Sequence, residues 1–308
     1  MSPKYRLVTR SDFDGLVCAV LLKELDMLES IKFVHPKDMQ DGVVEITEND
    51  ITTNLPYTPR AHLVFDHHLS ETLRLGGKRP DNYVIDPEAP SASRVVYDYF
   101  GGVARFKEIP DEIMRAVDQA DSAQYSKDDI LQPKRWTLLN YIMDPRTGLG
   151  RFRQFRISNY DLMMELITHC RTHTIDQILQ LPDVQERVDL YLEHQEKAIE
   201  QIKRCSTVHG KLVILDLRFE DVIWCTNRFM VYALFPECNI SAHVLWGLKQ
   251  QNTVFAVGKS ILDRSSKVNI GAVMLKHGGG GHLAAGTCQV MNDQADAVRE
   301  DLIIELNK

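Results

Sequence analysis

Short apolar runs alternate with helical patterns along the first hundred residues. Runs rich in β-branched and aromatic side chains predict strands at residues 5–9, 31–34, 62–65 and 83–85. Apolar residues recur at helical spacing in residues 15–29 and again in 91–100. Strands that alternate with helices predict a parallel α/β sheet, and ligands of such sheets bind beyond the carboxyl ends of the strands.

The pattern changes twice further along the chain. Residues 109–204 have mostly helical periodicity, and from Lys211 strand-like runs return at 211–217, 240–248 and 253–261, with helices near 270–276 and 294–306. The predicted fold class is α/β, with a parallel-sheet N-terminal domain and a smaller α/β C-terminal domain. The predicted limits are a first domain over residues 1–182, a linker helix over 183–205 and a second domain over 206–308.

Composition and charge narrow the class of protein. Of the 308 residues, 44% are hydrophobic and 26% are charged, which is ordinary for a globular protein with its own core. The net charge of -7 argues against a protein that binds nucleic acid or membranes through bulk electrostatics. A local basic groove stays compatible with that charge.

The cysteines and the apolar runs bear on the compartment. The six cysteines contain no Cys-x-x-Cys pair, which favours a reduced intracellular protein. No signal peptide is recognisable, and no apolar run approaches the ~18 residues expected of a membrane span. We therefore expect a cytoplasmic protein that makes no membrane contact.

Two aspartates follow the first predicted strand. Asp12 and Asp14 are two residues apart where the strand turns into a helix, so both carboxylates can point to one place. Oxygen ligands of this kind suit Mg²⁺ and Mn²⁺. The alternative is an ordinary helix start, because aspartate is common at N-caps and in first turns.

A second polar cluster, Asp66-His67-His68, follows the predicted strand 62–65. One carboxylate and two imidazoles offer a metal ligand, a group that orients it, and a partner for a phosphate or a proton. The alternative is a set of surface polar residues after a strand. The pairing with Asp12 and Asp14 at another strand end favours a site.

The third feature is a glycine run, Gly278–Gly281, followed by His282. Consecutive glycines expose backbone N–H groups to which a phosphate or nucleotide can come close. No Gly-Lys-Ser/Thr follows, so the run is not a P-loop. The alternative is a flexible turn, although a turn needs only one or two glycines.

The order of these three motifs resembles that of the DHH phosphoesterase superfamily, and the C-terminal part resembles its DHH-associated domain. The nearest subgroup in character comprises exopolyphosphatase-related, oligoribonuclease-like proteins. The resemblance implies a metal-dependent phosphoesterase that hydrolyses phosphodiester or terminal phosphate bonds of short oligonucleotides, nucleotide phosphates or polyphosphate. It also implies Mn²⁺ or Mg²⁺ as cofactor, with two ions per chain.

The resemblance transfers residue by residue. It implies metal ligands at Asp12, Asp14, Asp50, Asp66, His67 and Asp121. Asp41 is the rival of Asp50, and Asp118 is the rival of Asp121. The histidine that usually opens the family's first motif is absent from Val8-Thr9-Arg10-Ser11, which leaves the number of bound metals open and offers Arg10 as a phosphate contact.

The remaining implied roles concern the substrate. His68 and Arg264 are the expected catalytic residues, and the expected substrate-binding residues are Arg10, Arg264, Ser265, Gly279, Gly280, Gly281 and His282. The competing hypothesis for the same fold is a catalytically weak nucleotide-binding or sensor protein. Neither hypothesis fixes the substrate or the oligomeric state, for which a homodimer is one option.

Two further segments contain candidate residues for binding nucleic acid or zinc. Residues 134–160 interleave arginines with aromatics, a pattern typical of single-stranded nucleic-acid binding but commoner in an amphipathic helix with its aromatics in the core. We favour the helix. His169 and His173 have helical i,i+4 spacing but no evident third zinc ligand, so surface histidines are the simpler interpretation.

Overall fold

The structure is a computed structural model that describes residues 3–35, 38–39, 41–152 and 154–308. The chain forms two compact units. The first comprises Met1–Gln124, Lys134–Pro145 and Leu149–Asp189, and the second comprises Tyr125–Pro133, Arg146–Gly148 and Leu190–Lys308. Each unit has its own sheet, as the predicted α/β fold class requires.

A five-stranded parallel sheet forms the centre of the first unit. Its strands along the chain are β1 (Tyr5–Arg10), β2 (Leu28–Val34), β3 (Asp50–Thr53), β4 (Leu63–Asp66) and β5 (Tyr83–Ile85). Their order across the sheet is β2-β1-β3-β4-β5. All strands therefore end at the same edge, and β3 is the one that the hydrophobic pattern does not predict.

Helices surround this sheet. In chain order they are α1 (Phe13–Glu24), α2 (Leu69–Arg74), α3 (Ala92–Tyr99), α4 (Asp111–Asp121), α6 (Arg135–Met143), α7 (Asn159–Thr172) and α8 (Ile175–Leu179), with α5 (Lys127–Leu131) in the second unit. Every residue of α1 from Phe13 to Leu22 is buried, so this helix lies in the core. Gly15 is required there, because a β-carbon would lie 2.0 Å from the Arg10 carbonyl oxygen.

The second unit contains a mixed six-stranded sheet in the order β10-β11-β9-β8-β7-β6. Its strands are β6 (Ser206–His209), β7 (Leu212–Asp216), β8 (Ile240–Trp246), β9 (Thr253–Lys259), β10 (Gly280–Gly281) and β11 (Ala285–Val290). Its remaining helices are α10 (Met230–Leu234), α11 (Ile270–Lys276) and α12 (Ala295–Leu306). Apolar side chains of the strands, α11 and α12 form one buried core.

One long helix, α9 (Pro182–Cys205), covers the segment in which the sequence predicts a linker. Its residues as far as Asp189 belong to the first unit, and those from Leu190 belong to the second. The predicted domain limits stay predictions. Short 3₁₀ turns occur at Gly102–Ala104, Pro145–Thr147, Leu149–Arg151, Leu248–Gln250 and Asn292–Gln294. Across the described ranges, we find no helix with the length and apolar character that crossing a membrane demands.

Candidate active site

Polar residues from three neighbouring strands meet at the carboxyl edge of the first sheet. Asp12 and Asp14 follow β1, Asn54 follows β3, and Asp66 ends β4. The order β1-β3-β4 makes these strands direct neighbours, so their ends lie side by side. This is the edge at which a parallel α/β sheet binds its ligands.

Asp14, His67 and Asp121 form the tightest group at this edge. Each offers one ligand atom, and these atoms all lie within 4.8 Å of one another. Asp121 comes from the last residue of α4, and its Oδ2 lies 2.8 Å from Nε2 of His67. Within the described part of the chain, this is the group of histidine, cysteine and acidic residues that is suited to holding a metal ion.

The ring of His67 has a defined tautomer. Its Nδ1 lies 3.2 Å from the Ala89 carbonyl oxygen, which can only accept a hydrogen bond, so Nδ1 must carry a proton. Nε2 then presents either a lone pair or a second proton to Asp121. A lone pair that faces a carboxylate needs a cation between them. A hydrogen bond from the other ring nitrogen to a carbonyl oxygen is the common way in which a protein orients a metal-binding histidine.

The electrostatics of the group point the same way. Burial and the neighbouring charge of Asp121 raise the pKa of Asp14 to about 7. Burial works to lower the pKa of His67, but the hydrogen bond and charge of Asp121 outweigh it and raise that pKa to about 9. Burial works to raise the pKa of Asp121, but the hydrogen bond and charge of His67 outweigh it and lower that pKa. The protons that Asp14 and His67 hold fit a divalent cation in their place.

Asp14 is held by the start of α3. Its two carboxylate oxygens accept hydrogen bonds from the backbone N–H groups of Ala92 at 3.0 Å and Ser93 at 2.8 Å. The N-terminus of a helix stabilises a negative charge, and each oxygen keeps a further lone pair. Asp14 can therefore ligate a metal while it remains fixed to α3.

Asp66 lies outside the group, which does not support the expected ligand role. It is fully buried, and its Oδ1 accepts from Nδ1 of His68 at 2.7 Å and from the backbone of His67 at 2.9 Å. Its Oδ2 accepts from the Tyr83 hydroxyl at 3.2 Å. These contacts give Asp66 the geometry of a group that orients His68.

His68 is the more exposed of the two histidines, with 42% of its side chain accessible. Burial works to lower its pKa, but the hydrogen bond and charge of Asp66 raise the pKa of His68 above its usual value. Since Nδ1 donates to Asp66, the other ring nitrogen remains for a substrate. The geometry is compatible with the expected catalytic role, which stays a prediction.

Asp12 has partners on both oxygens. It begins α1 as its N-cap, and Oδ1 accepts from the Gly15 backbone at 3.0 Å and from Nδ2 of Asn54 at 3.4 Å. Its Oδ2 lies 2.9 Å from Nε of Arg10. Asp12 thus meets both the helix-start interpretation and the expected position at the strand end, but it lies outside the Asp14–His67–Asp121 group.

The expectation that Asp50 is a metal ligand needs correction. Asp50 begins β3, beside Arg6 of β1, so it lies at the amino ends of the strands and away from the candidate site. Its carboxylate accepts from Arg6 at 2.7 and 2.8 Å and from the Thr47 backbone at 2.7 Å. The rival Asp41 is exposed and likewise lies outside the group.

Asn54 is the residue that sequence reasoning missed. It follows β3 at the carboxyl edge, has a left-handed φ of 54° and is 2% exposed. Among the described residues, its Oδ1 is a buried atom without a hydrogen-bond partner. Recognising β3 in Asp50-Ile51-Thr52-Thr53 would have given the signal, because the next residue then lies between Asp12 and Asp66.

The structure separates Asp121 from its rival Asp118. Asp118 accepts from the Ser91 hydroxyl at 2.8 Å and from Nε of Arg94 at 3.0 Å. Asp121, one helical turn later, faces His67. The geometry therefore favours Asp121 as the residue of α4 that reaches a metal.

The expected substrate residues of the second unit lie in two segments, one between β9 and α11 and the other in and beside β10. Nε of Arg264 donates to the Ile261 carbonyl oxygen at 3.2 Å, and the Ser265 hydroxyl accepts from Asn239 at 2.9 Å. His282 is exposed, and its backbone donates to Ala285 at 2.8 Å. Their roles stay predictions.

Part of the glycine run has a packing explanation. A β-carbon on Gly279 would lie 2.1 Å from the Thr287 carbonyl oxygen, and one on Gly281 would lie 2.3 Å from that of Ala285. Gly280 has open space around its α-carbon. Close approach to β11 therefore requires Gly279 and Gly281, whereas a β-carbon on Gly278 or Gly280 would meet nothing within 4 Å.

Most of the basic and aromatic segment belongs to the first unit, and Arg146 belongs to the second. The guanidinium of Arg187 lies 4.2 Å from the centre of the Phe155 ring, and the Tyr160 ring packs edge-on against Phe33. Arg156 pairs with Asp183 at 3.0 Å. Phe155 and Tyr160 therefore contact other side chains of this unit. The helix α7 begins only at Asn159, so the predicted continuous helix is wrong. Arg153 lies outside the described residues.

A comparison with solved structures identifies the family. A pGpG-specific phosphodiesterase from Vibrio cholerae, PggH, is 57% identical to this chain, with a TM-score of 0.86 and a coverage of 99% of both chains. The chain belongs to the DHH phosphoesterase superfamily. It is accordingly a phosphoric ester hydrolase.

More distant structures share only the fold. CDC45 from Entamoeba histolytica is 9% identical, with a TM-score of 0.51 and a coverage of 99% of this chain and 96% of its own. No protein-family model matches the sequence, and no curated protein matches it significantly.

Proposed function

We propose that this protein is a metal-dependent phosphodiesterase that cleaves short linear oligonucleotides, with pGpG as the first substrate to test. The name of the 57% identical relative states that substrate for the relative, and the coverage extends over both chains. The observation that carries the proposal is the grouping of Asp14, His67 and Asp121 within 4.8 Å. A phosphodiesterase needs such a group because phosphodiester hydrolysis places extra negative charge on phosphate oxygens.

Asp14, His67 and Asp121 would hold the divalent metal, Mn²⁺ or Mg²⁺. A cation bound there supplies charge neutralisation at the phosphate and activation of a water molecule at neutral pH. The two carboxylates and Nε2 of His67 are the donor types that both ions accept. The Ala89 carbonyl oxygen holds His67, and the start of α3 holds Asp14, before any cation arrives.

His68 is the proposed group that contacts the scissile phosphate. The buried Asp66 fixes its ring through Nδ1, and the hydrogen bond and charge of Asp66 favour the imidazolium form by raising the pKa of His68. An imidazolium held in this way donates a hydrogen bond to a phosphate oxygen and can deliver its proton to the departing hydroxyl group. Tyr83, on the other oxygen of Asp66, keeps that carboxylate from rotating.

Arg10, Arg264, Ser265, His282 and residues 279–281 remain proposed substrate contacts. Guanidinium groups bind phosphate oxygens through paired, charge-assisted hydrogen bonds, and Arg10 is one third exposed. Cleavage of polyphosphate or nucleotide bisphosphates and assembly into a homodimer stay predictions. A substrate panel and a measurement of mass in solution test them.

The decisive experiment measures hydrolysis of pGpG, a longer oligoribonucleotide and polyphosphate with Mn²⁺, with Mg²⁺ and with a chelator. We expect metal-dependent cleavage of pGpG, and we expect His67→Ala to lower kcat/KM by at least the 10–100-fold that loss of an outer metal-site partner costs. His173→Ala is the matched control, because His173 is a partly exposed histidine of the same unit that lies outside the Asp14–His67–Asp121 group. Chelator-resistant cleavage, or equal activity of the two variants, would contradict the proposal.

A further inference from the structure

We infer that the active site binds one divalent cation, and that the ion pair of Arg10 with Asp12 occupies the electrostatic place of a second. The inference rests on the proposed function and deepens it, because it fixes the metal content of the same site. It is based on the hydrogen-bond and ion-pair partners of the carboxylate and amide oxygens at the carboxyl edge of the sheet.

Asp12 is the carboxylate on which a second metal would depend. Nε of Arg10 lies 2.9 Å from its Oδ2, while the Gly15 backbone and Asn54 donate to its Oδ1. The guanidinium is charged at every pH that a protein tolerates, so the Asp12 charge is compensated permanently. A cation that approached Asp12 would have to displace Arg10 or face its positive charge at short range.

Asn54 removes the bridging charge that a metal pair would need. It lies between Asp12 and Asp66 at the end of the strand in the middle of the sheet, and its side chain is an amide. A carboxylate at this position would accept two cations on its two oxygens, whereas an amide offers one oxygen and fills its other position with an NH₂ donor. Here Nδ2 of Asn54 faces Asp12, and Oδ1 is buried without a partner among the described residues.

The neighbouring carboxylates are also compensated. Asp66 accepts from His68 and Tyr83, and Asp118 pairs with Arg94. The negative charge at this edge that remains for a metal belongs to Asp14 and Asp121, and two carboxylates balance one divalent cation. The unpartnered Oδ1 of Asn54 is a neutral oxygen that can complete the coordination of that single ion.

The first test counts the metal in the unaltered full-length protein. Metal-free protein is titrated with Mn²⁺ by calorimetry, and the bound metal is counted by elemental analysis after gel filtration. We expect one ion per chain and the electron paramagnetic resonance spectrum of isolated Mn²⁺. Two ions with the spectrum of a coupled pair, as expected for metals roughly 3.5–4 Å apart, would overturn the inference and leave the proposed function intact.

The second test removes the proposed substitute cation. In Arg10→Met, and more strongly in Arg10→Met combined with Asn54→Asp, we expect a second Mn²⁺ to bind and the content to rise from one ion toward two. Arg171→Met is the matched control, because Arg171 pairs with Glu24 in the same unit at similar exposure, and its content should stay at one.

The outcomes of the second test separate the two ideas. A content that stays at one ion in both Arg10 variants would overturn the role given to Arg10 and Asp12. A wild-type protein that binds no ion at millimolar Mn²⁺, and still cleaves pGpG, would defeat the proposed function and with it the inference of one bound cation. Metal content alone reads out the first result, and the second combines metal content with a measurement of pGpG cleavage.

Discussion

His68 and Asp66 show how one fixed hydrogen bond defines the chemistry of a single side chain. Asp66 is fully buried, and with Nδ1 of His68 at 2.7 Å it keeps the ring in one tautomer and one orientation. The sequence placed these residues next to each other but gave Asp66 a different role, that of a metal ligand. The contact that matters is set by the rotamers of both side chains, which the local sequence does not encode.

Asp66→Asn tests this role at the residue scale. An amide can donate to Nδ1 and so impose the other tautomer, which removes the imidazolium that faces the phosphate. We expect kcat to fall by about 10²-fold or more, as loss of acid–base catalysis does, while the bound Mn²⁺ per chain stays the same. Loss of the metal in Asp66→Asn would contradict the role, and Tyr83→Phe should give a smaller loss of kcat with no loss of metal.

In the glycine run of the second unit, strand pairing requires glycine at some positions and not at others. Gly279 and Gly281 meet the backbone of β11 at distances that exclude a side chain, whereas Gly280 meets nothing within 4 Å. The sequence shows four equivalent glycines. Only the pairing of β10 with β11 distinguishes Gly279 and Gly281, which the sheet requires, from Gly278 and Gly280, where a β-carbon would meet nothing within 4 Å.

Alanine at two of these glycines provides the matching experiment. Gly279→Ala should lower the free energy of unfolding by about 1–3 kcal/mol, the usual cost of overpacking. Gly280→Ala should leave it within about 0.5 kcal/mol, as for an open surface position. If Gly280 contacts substrate, its alanine variant will raise KM for pGpG at unchanged stability. Equal stability losses in chemical denaturation of the two variants would show that packing does not distinguish these positions.

Metal binding and protonation are coupled over the whole first unit. The pKa of His67 is raised to about 9 from an ordinary 6.5. Between these two pH values, the folded, metal-free protein keeps a proton on His67 that the unfolded chain has released. This contribution to stability is fully present below about pH 6.5 and is lost as the pH rises through about 9. A metal takes the place of that proton, so its stabilising effect grows over the same range.

Thermal unfolding with and without Mg²⁺ measures this coupling. Between pH 7 and 8.5 we expect the metal-free protein to lose stability, and the increase in melting temperature on adding Mg²⁺ to become larger. In His67→Gln, the loss of stability with pH and the growth of the Mg²⁺ effect with pH should both be smaller than in the wild type. The same variant controls for cysteines that titrate in this range. A stabilisation by Mg²⁺ that is independent of pH would show that the ion does not replace a proton on His67.

Much about this protein follows from the sequence alone. Periodicity gives the alternating strands and helices, and three motifs in order give the superfamily and a phosphoric ester hydrolase. Strand ends at a common edge explain why Asp14 and the Asp66–His68 cluster meet, because parallel strands all run the same way. The local pattern predicts a site residue correctly where that residue directly follows a strand that the pattern also predicts.

The tertiary structure decided the rest. The strand β3 contains one apolar residue, Ile51, so no apolar run marks its carboxyl end, and the sequence prediction falls on Asp50 where Asn54 lies. The choice of Asp121 over Asp118, and the closure of Asp12 by Arg10, depend on contacts between side chains far apart in the chain or on opposite sides of a turn. Such contacts arise from packing in three dimensions, which a one-dimensional pattern leaves undetermined.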